Sequence, residues 1–400
     1  MIAVLIAVSE VACVRFSGWR SLLLISSVIL SFSSPVLSQT EPVGNFVTEV
    51  QVQEGGTSGI IQGLLRAESS DGTVLLEDAL GKYHLLPPAE IQQRQQTSAV
   101  FQKLSDDELM ASLLTEVGDG FEVAETEHFL ICTNSGAAYA EFCGKLLEKV
   151  YAEFFTWSEN LQLSLTPPPR RLPILIFAAE SEFQAHAAKI HPETPFENTP
   201  GFYTVRDNQV LLWDLTRDRT LRFSAIRKKL SESPLQLATI VHEAVHQLAF
   251  NSGLQNRFAD NPLWFSEGLA LYFEQVSLRS PLLWSKPGLI NSRHHPEFLR
   301  RTADERVPIP LPELLTSDRT FQTAESAPAA YAQSWALMAW LVRQHPEQLA
   351  QYIRQLQALQ PLQPVSADQR TQMFQESLGS PLEEIPGDLI AWARRQRSSR

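Results

Sequence analysis

The chain is expected to fold as an α+β protein, with a small β-rich N-terminal unit followed by a mixed domain whose second half is helical. Three features predict this. From about Asn45 to Ile91, short β-prone runs alternate with turn residues such as Asp71-Gly72 and Gly81. From Phe121 to Trp213, strand-like stretches flank a long amphipathic helix, Ala137 to Leu161. Beyond Pro234 the apolar spacing becomes helical and is punctuated by prolines. The 400 residues, 44% of them hydrophobic, are enough for one large domain and one small one. A net charge of −12 and the lack of any Lys/Arg stripe exclude a nucleic-acid partner and predict a soluble, acidic protein.

Residues 1–38 read as an export signal. Arg15 and Arg20 precede the apolar run Leu22 to Phe32, and Val36-Leu37-Ser38 leads to a cleavage point at Ser38-Gln39. A retained N-terminal anchor is the alternative. Cleavage predicts a secreted or periplasmic protein with no membrane attachment after signal removal. Cys13 leaves with the signal, and Cys132 and Cys143 then form either a disulfide or a pair of buried free thiols. Residues 44–95 hold the runs Gly59 to Leu65, Thr73 to Leu76 and Tyr83 to Leu86 and resemble a small SH3-like barrel, either a binding accessory or a stabilising cap. In the connecting segment 100–118, Ser105 and Glu108 form a capping box that starts a helix. The main domain, 121–345, opens with a strand over Phe121 to Thr133. The stripe Phe142, Leu146, Val150, Phe154 and Trp157 on the next helix is core. A proline-rich loop, Thr166 to Pro173, precedes the strand Ile174 to Phe177. Gly201 to Val205 and Gln209 to Trp213 make a hairpin around Asp207-Asn208. Pro308 to Pro312 is expected as a loop near a cleft mouth, Ala329 to Val342 as an apolar helix, and 346–400 as C-terminal helices with a basic end.

The chemistry is concentrated in HEAVH, His242 to His246. On a helix of 3.6 residues per turn the two imidazoles project from one face and can grip one metal ion. Glu243 beside them is placed for a general base acting on water. Ser231 and Ser233 are candidate caps, Pro234 suits the first turn, and Gly253 is a stop signal. Catalytic zinc usually takes three protein ligands. Glu267, in LWFSEGLALYFE, is the candidate third.

Here the sequence resembles the glutamate zincins, metallopeptidases in which HExxH is followed by a glutamate ligand on the next helix. Trp264, Glu267, Gly268 and Ala270 match the W-x-x-E-G-x-A of their aminopeptidase branch. The resemblance implies a zincin-like domain that binds Zn2+ through His242, His246 and Glu267, with Glu243 as base. It also implies a strand edge that holds an extended peptide, for which the hairpin before the metal helix is the candidate. Such a site needs an oxyanion donor, and relatives often carry a tyrosine early in a later helix. That points to Tyr331, with His294, His295 and Tyr272 as rivals. The segments TEHFLICTN, GFYTVRDNQVLLWDL, HEAVH, WFSEGLA and YAQSW are also similar to an uncharacterised family of secreted bacterial proteins, over most of residues 50–345. No G-x-M-E-N type run precedes HEAVH, so the amine-holding segment of the aminopeptidases is missing and exopeptidase action is not implied. The expected activity is zinc-dependent hydrolysis of a peptide or protein substrate. The alternatives are a catalytically inactive zincin-fold scaffold and an amidase on cell-wall peptides.

Overall fold

The computed structural model describes residues 45–396 apart from 55–56, 193–195, 197–198 and 303–305. The expected leader over residues 1–38 lies outside the described residues. The N-terminal unit is a five-stranded antiparallel sheet of β1 (Phe46–Glu54), β2 (Thr57–Glu68), β3 (Val74–Glu77), β4 (Tyr83–Leu86) and β5 (Ile91–Val100), in the order β4-β3-β2-β1-β5. Val50, Val74, Leu76 and Leu86 fill its apolar side. The expected boundary at residue 95 falls inside β5. That strand, IQQRQQTSAV, is polar and mostly exposed, so its pairing to β1, rather than apolar alternation, makes it a strand. Helix α1 (Asp106–Val117) begins with the expected capping box: Glu108 N–H donates to Ser105 Oγ at 3.3 Å, and Ser105 N–H donates to Glu108 Oε2 at 2.8 Å.

A second five-stranded sheet runs β6 (Glu122–Glu125), β7 (Phe129–Thr133), β8 (Leu172–Phe177), β10 (Gln209–Trp213), β9 (Gly201–Thr204). Its three inner strands are parallel, and β6 and β9 are antiparallel edges. The single strand expected over Phe121 to Thr133 is therefore a hairpin. Its inner arm, β7, is buried at every position, because helices cover both faces of the sheet and leave no polar side to alternate with. On one face, Phe129, Ile131, Ile174 and Ile176 pack with α2 (Ala137–Asn160). On the other, Leu130, Cys132, Leu175 and Phe177 pack with α1 and with α3 (Glu180–Ile190). Alternation along β7 thus puts Cys132 on the face opposite the one where Cys143 of α2 is buried. Both are free thiols, and the disulfide alternative fails for that geometric reason.

The C-terminal part is helical: α4 (Phe223–Glu232), α5 (Pro234–Asn251), α6 (Leu263–Phe273), α7 (His294–Arg301), α8 (Leu311–Thr316), α9 (Ala327–Gln344), α10 (Pro346–Gln357), α11 (Ala367–Leu378) and α12 (Ile385–Arg395). The architecture is mixed α+β with an N-terminal β region. Ser231 lies inside α4, and Ser233 caps α5 without a side-chain bond. The break falls at the residue before Pro234, where the proline ring disfavours helical backbone. Gly268 is required by packing, since a Cβ there would lie 2.8 Å from the Ser334 carbonyl oxygen, where α6 and α9 run nearly backbone to backbone. Among the described residues, no helix is long and apolar enough to cross a membrane.

One buried arginine joins the two sheets. Arg257 donates to the carbonyls of Gly81 (2.9 Å), Val205 (2.7 Å) and Arg206 (2.8 Å), and its guanidinium lies 3.9 Å from the centre of the Tyr83 ring. Tyr83 N–H also donates to the Arg206 carbonyl at 2.8 Å. The N-terminal sheet thereby braces the β9–β10 turn, whose Asn208 takes a left-handed φ of 59°.

Candidate metal centre

Helix α5 is eighteen residues long, and its apolar positions Leu237, Ile240, Val241, Ala244, Val245 and Leu248 are buried among α2, β9, β10 and α6. The polar side chains of His242, Glu243, His246 and Gln247 are therefore inside the protein, and each needs a partner. Gln247 donates to the carbonyls of Pro173 (3.0 Å) and Asn208 (3.1 Å), and Asn208 and Asn251 exchange amide hydrogen bonds. Tyr203 donates its hydroxyl to Asn208 Oδ1 at 2.9 Å and its backbone N–H to Glu243 Oε2 at 2.9 Å. This polar seam fixes the helix against the edge hairpin.

One turn apart on that helix, His242 and His246 bring their Nε2 atoms to 3.1 Å. Glu267, from the middle of α6, places Oε2 3.3 Å from His242 Nε2 and Oε1 3.5 Å from His246 Nε2. All three residues are buried, and one ligand atom from each lies within 4.8 Å of the others. Two observations test whether these residues fit a metal. Neither oxygen of the fully buried Glu267 has a well-formed hydrogen bond, which is costly for an isolated carboxylate. The three separations also match the edge of a tetrahedron with metal–ligand bonds of about 2.0–2.1 Å, which is about 3.3 Å. The donor set fits a divalent cation.

The electrostatics of the group follow from its burial and from the charges packed against one another. Burial lowers the His242 imidazole, but the Glu267 and Glu274 carboxylates beside it more than reverse this, so it sits well above the ordinary histidine range. Burial, with the His242 charge, pushes His246 well below that range. Burial raises Glu267, and it raises Glu243 to about 8, His242 opposing and Glu267 adding.

Residues 236–363, which contain every residue of this group, match the profile of a family described as "Protein of unknown function (DUF1570)". No curated protein matches the chain.

A fourth residue completes the cluster. His242 Nδ1 lies 2.9 Å from Glu274 Oε2, and Glu274 Oε1 accepts from Asn291 Nδ2 at 2.9 Å. A carboxylate on Nδ1 leaves Nε2 free to ligate a metal and raises its basicity. Glu274 lies seven residues after Glu267, on the same helical face, and that spacing was available to find it. If the group holds a divalent cation, Glu274→Ala should weaken its binding about 10–100-fold, as loss of such partners typically does. Competition titration against a chromogenic chelator measures this, and unchanged affinity would remove Glu274 from the site.

The group meets a cavity of about 730 Å³ through His242, which lines it with Glu243, Glu274, His294 and Tyr331, whereas His246 and Glu267 do not line it. Tyr331 is half-buried, with its ring edge-on to Phe321. Burial, with the Glu267 and Glu243 carboxylates, holds its hydroxyl well above the usual tyrosine range, so it stays a proton-bearing donor. Of the three rivals for that role, His294 lines the cavity with Nε2 3.6 Å from Glu274 Oε1. His295 instead meets the Ala393 carbonyl at 2.9 Å, and Tyr272 packs beside Gly288; neither lines the cavity. Pro308 to Pro312 is also away from it, tied through Ile309 to Gln333 of α9.

Proposed function

We propose that the protein is a zinc-dependent, peptidase-like hydrolase with a zincin-like domain, exported by the segment over residues 1–38, that acts on peptide or protein substrates. The observation that carries the reading is the buried His242–His246–Glu267 triangle, with His242 and a separate carboxylate, Glu243, on the wall of one cavity. His242, His246 and Glu267 would hold a divalent ion, which when bound would supply Lewis acidity to a carbonyl and to water, and two imidazoles with one carboxylate suit zinc.

The chain's own groups do the rest. Glu243 Oε2 is pinned by the Tyr203 N–H, while Oε1 is buried and has no partner. With a bound divalent ion beside it, whose charge would bring the carboxyl, raised to about 8 by burial, back to its ionised form, Oε1 is the atom left to take a proton from the attacking water and return it to the leaving amine. Tyr331 donates its hydroxyl proton to the oxygen that gains charge. β9 lies at the sheet edge against α5, the position from which an extended peptide is held by main-chain pairing, although its Tyr203 N–H is already committed to Glu243. The test is digestion of a mixed peptide library by zinc-loaded protein, with chelator-treated protein alongside. Metal-dependent cleavage supports the hydrolase; zinc bound without any cleavage favours the inactive-scaffold alternative.

A further inference from the structure

We propose that Arg293 selects substrates that carry a carboxylate; this rests on the hydrolase reading above and names its substrate class. The chain is acidic, with a net charge of −12, yet the cavity wall formed by α7 and the residue before it is cationic. Arg293, Arg300 and Arg301 all line it. Glu297 is the acid on that wall, and it is occupied: Arg300 grips it at 3.0 and 2.7 Å, and Arg301 donates to it as well. The other two acids of the lining, Glu243 and Glu274, are turned inward to the Tyr203 N–H and to His242 with Asn291. Arg293 is different. Its side chain is exposed, and among the described residues its guanidinium has no ion-pair or hydrogen-bond partner.

The position of Arg293 is nonetheless fixed relative to the metal group. Asn291 Oδ1 accepts the backbone N–H groups of both Arg293 and His294 at 3.0 Å, and Asn291 Nδ2 donates to Glu274, which holds His242. Three hydrogen bonds thus link the Arg293 backbone to a metal ligand. An arginine anchored in this way, with its planar fork free, offers bidentate recognition of a carboxylate near the reacting centre. The net positive wall also draws anionic substrates toward the mouth of an otherwise acidic protein. Pro200, Leu235, Val276, Ala327 and Pro328 supply apolar surface for neighbouring substrate side chains. The carboxylate can be an acidic side chain or a free C-terminus, and the test separates the two.

Peptides cleaved in the library are resynthesised in pairs that differ only as Glu against Gln at each position, or as free acid against C-terminal amide. Zinc-loaded wild type should prefer one type of acid over its neutral partner by about tenfold or more in kcat/KM, chiefly through KM. In Arg293→Ala that ratio should collapse toward one; Arg293→Lys should restore part of it and Arg293→Glu reverse it. A second readout needs no turnover: fluorescence anisotropy of the same labelled peptides, or of library peptides if none is cleaved, on zinc-loaded Glu243→Gln with and without Arg293→Ala. The same acid-over-neutral preference in binding, lost with Arg293, supports the proposal even if wild type cleaves nothing, a result that sinks only the hydrolase. Equal cleavage and binding of acid and neutral partners, or a preference that survives Arg293→Ala, overturns the proposal and leaves the hydrolase standing.

Discussion

Glu243→Gln is expected to lower peptide turnover about a thousandfold, within the range a positioned general base contributes, with zinc content unchanged. The substitution keeps an oxygen that can accept the Tyr203 N–H, and it removes none of His242, His246 or Glu267, so the ligand triangle should persist. What is lost is a carboxylate oxygen able to take a proton. Steady-state kinetics alongside metal analysis separate this from a folding defect. Full activity in the variant would remove Glu243 from the chemistry and with it the proposed mechanism.

The largest stability effect is expected away from the cavity, at Arg370. Its side chain is almost wholly buried between two acids, donating to Asp260 Oδ1 and, at 3.1 Å, to Asp318 Oδ1. Asp318 Oδ1 also accepts the Leu263 N–H at 3.2 Å, at the first residue of the helix that carries Glu267. Arg370→Ala leaves the buried Asp318 and the half-buried Asp260 without the cation between them, and breaking a buried pair costs about 3–5 kcal/mol, the lower end applying here because Asp260 reaches solvent. Urea denaturation should report a loss of that size. Arg370→Met, which restores most of the volume and none of the charge, should lose nearly as much, because the unneutralised acids remain. A loss below about 1 kcal/mol for either variant would mean that solvent or rearrangement compensates the acids.

The local part of the site was legible in the sequence. Two histidines one turn apart need only a helix to share a face, and the apolar spacing around HEAVH supplies one. The tryptophan, glutamate, glycine and alanine that follow placed Glu267, and the structure adds why glycine stands beside it: α9 comes too close for a side chain. Features that depend on contacts between distant segments were not legible. Asn291 lies in a loop with no pattern of its own, yet it joins Glu274 to the Arg293 backbone. β5 is too polar to announce a strand, and β7 too buried to alternate like one. Cys132 and Cys143 are near in sequence but separated by the thickness of a sheet, which only the pairing of β7 within that sheet decides. Tyr272 and His295 carry suitable chemistry, but they face other parts of the core.

The central claim is that one divalent cation sits between α5 and α6. The direct measurement is metal content by plasma mass spectrometry after chelator stripping, reloading with Zn2+ and desalting, on wild type, His246→Ala and Glu267→Ala, each checked for folding by circular dichroism. Wild type should retain one ion per chain and the folded variants essentially none. Zinc at about a thousand times its dissociation constant should add about 4 kcal/mol to wild-type stability. A wild-type chain that retains no metal, or variants that retain as much as wild type, would contradict the account.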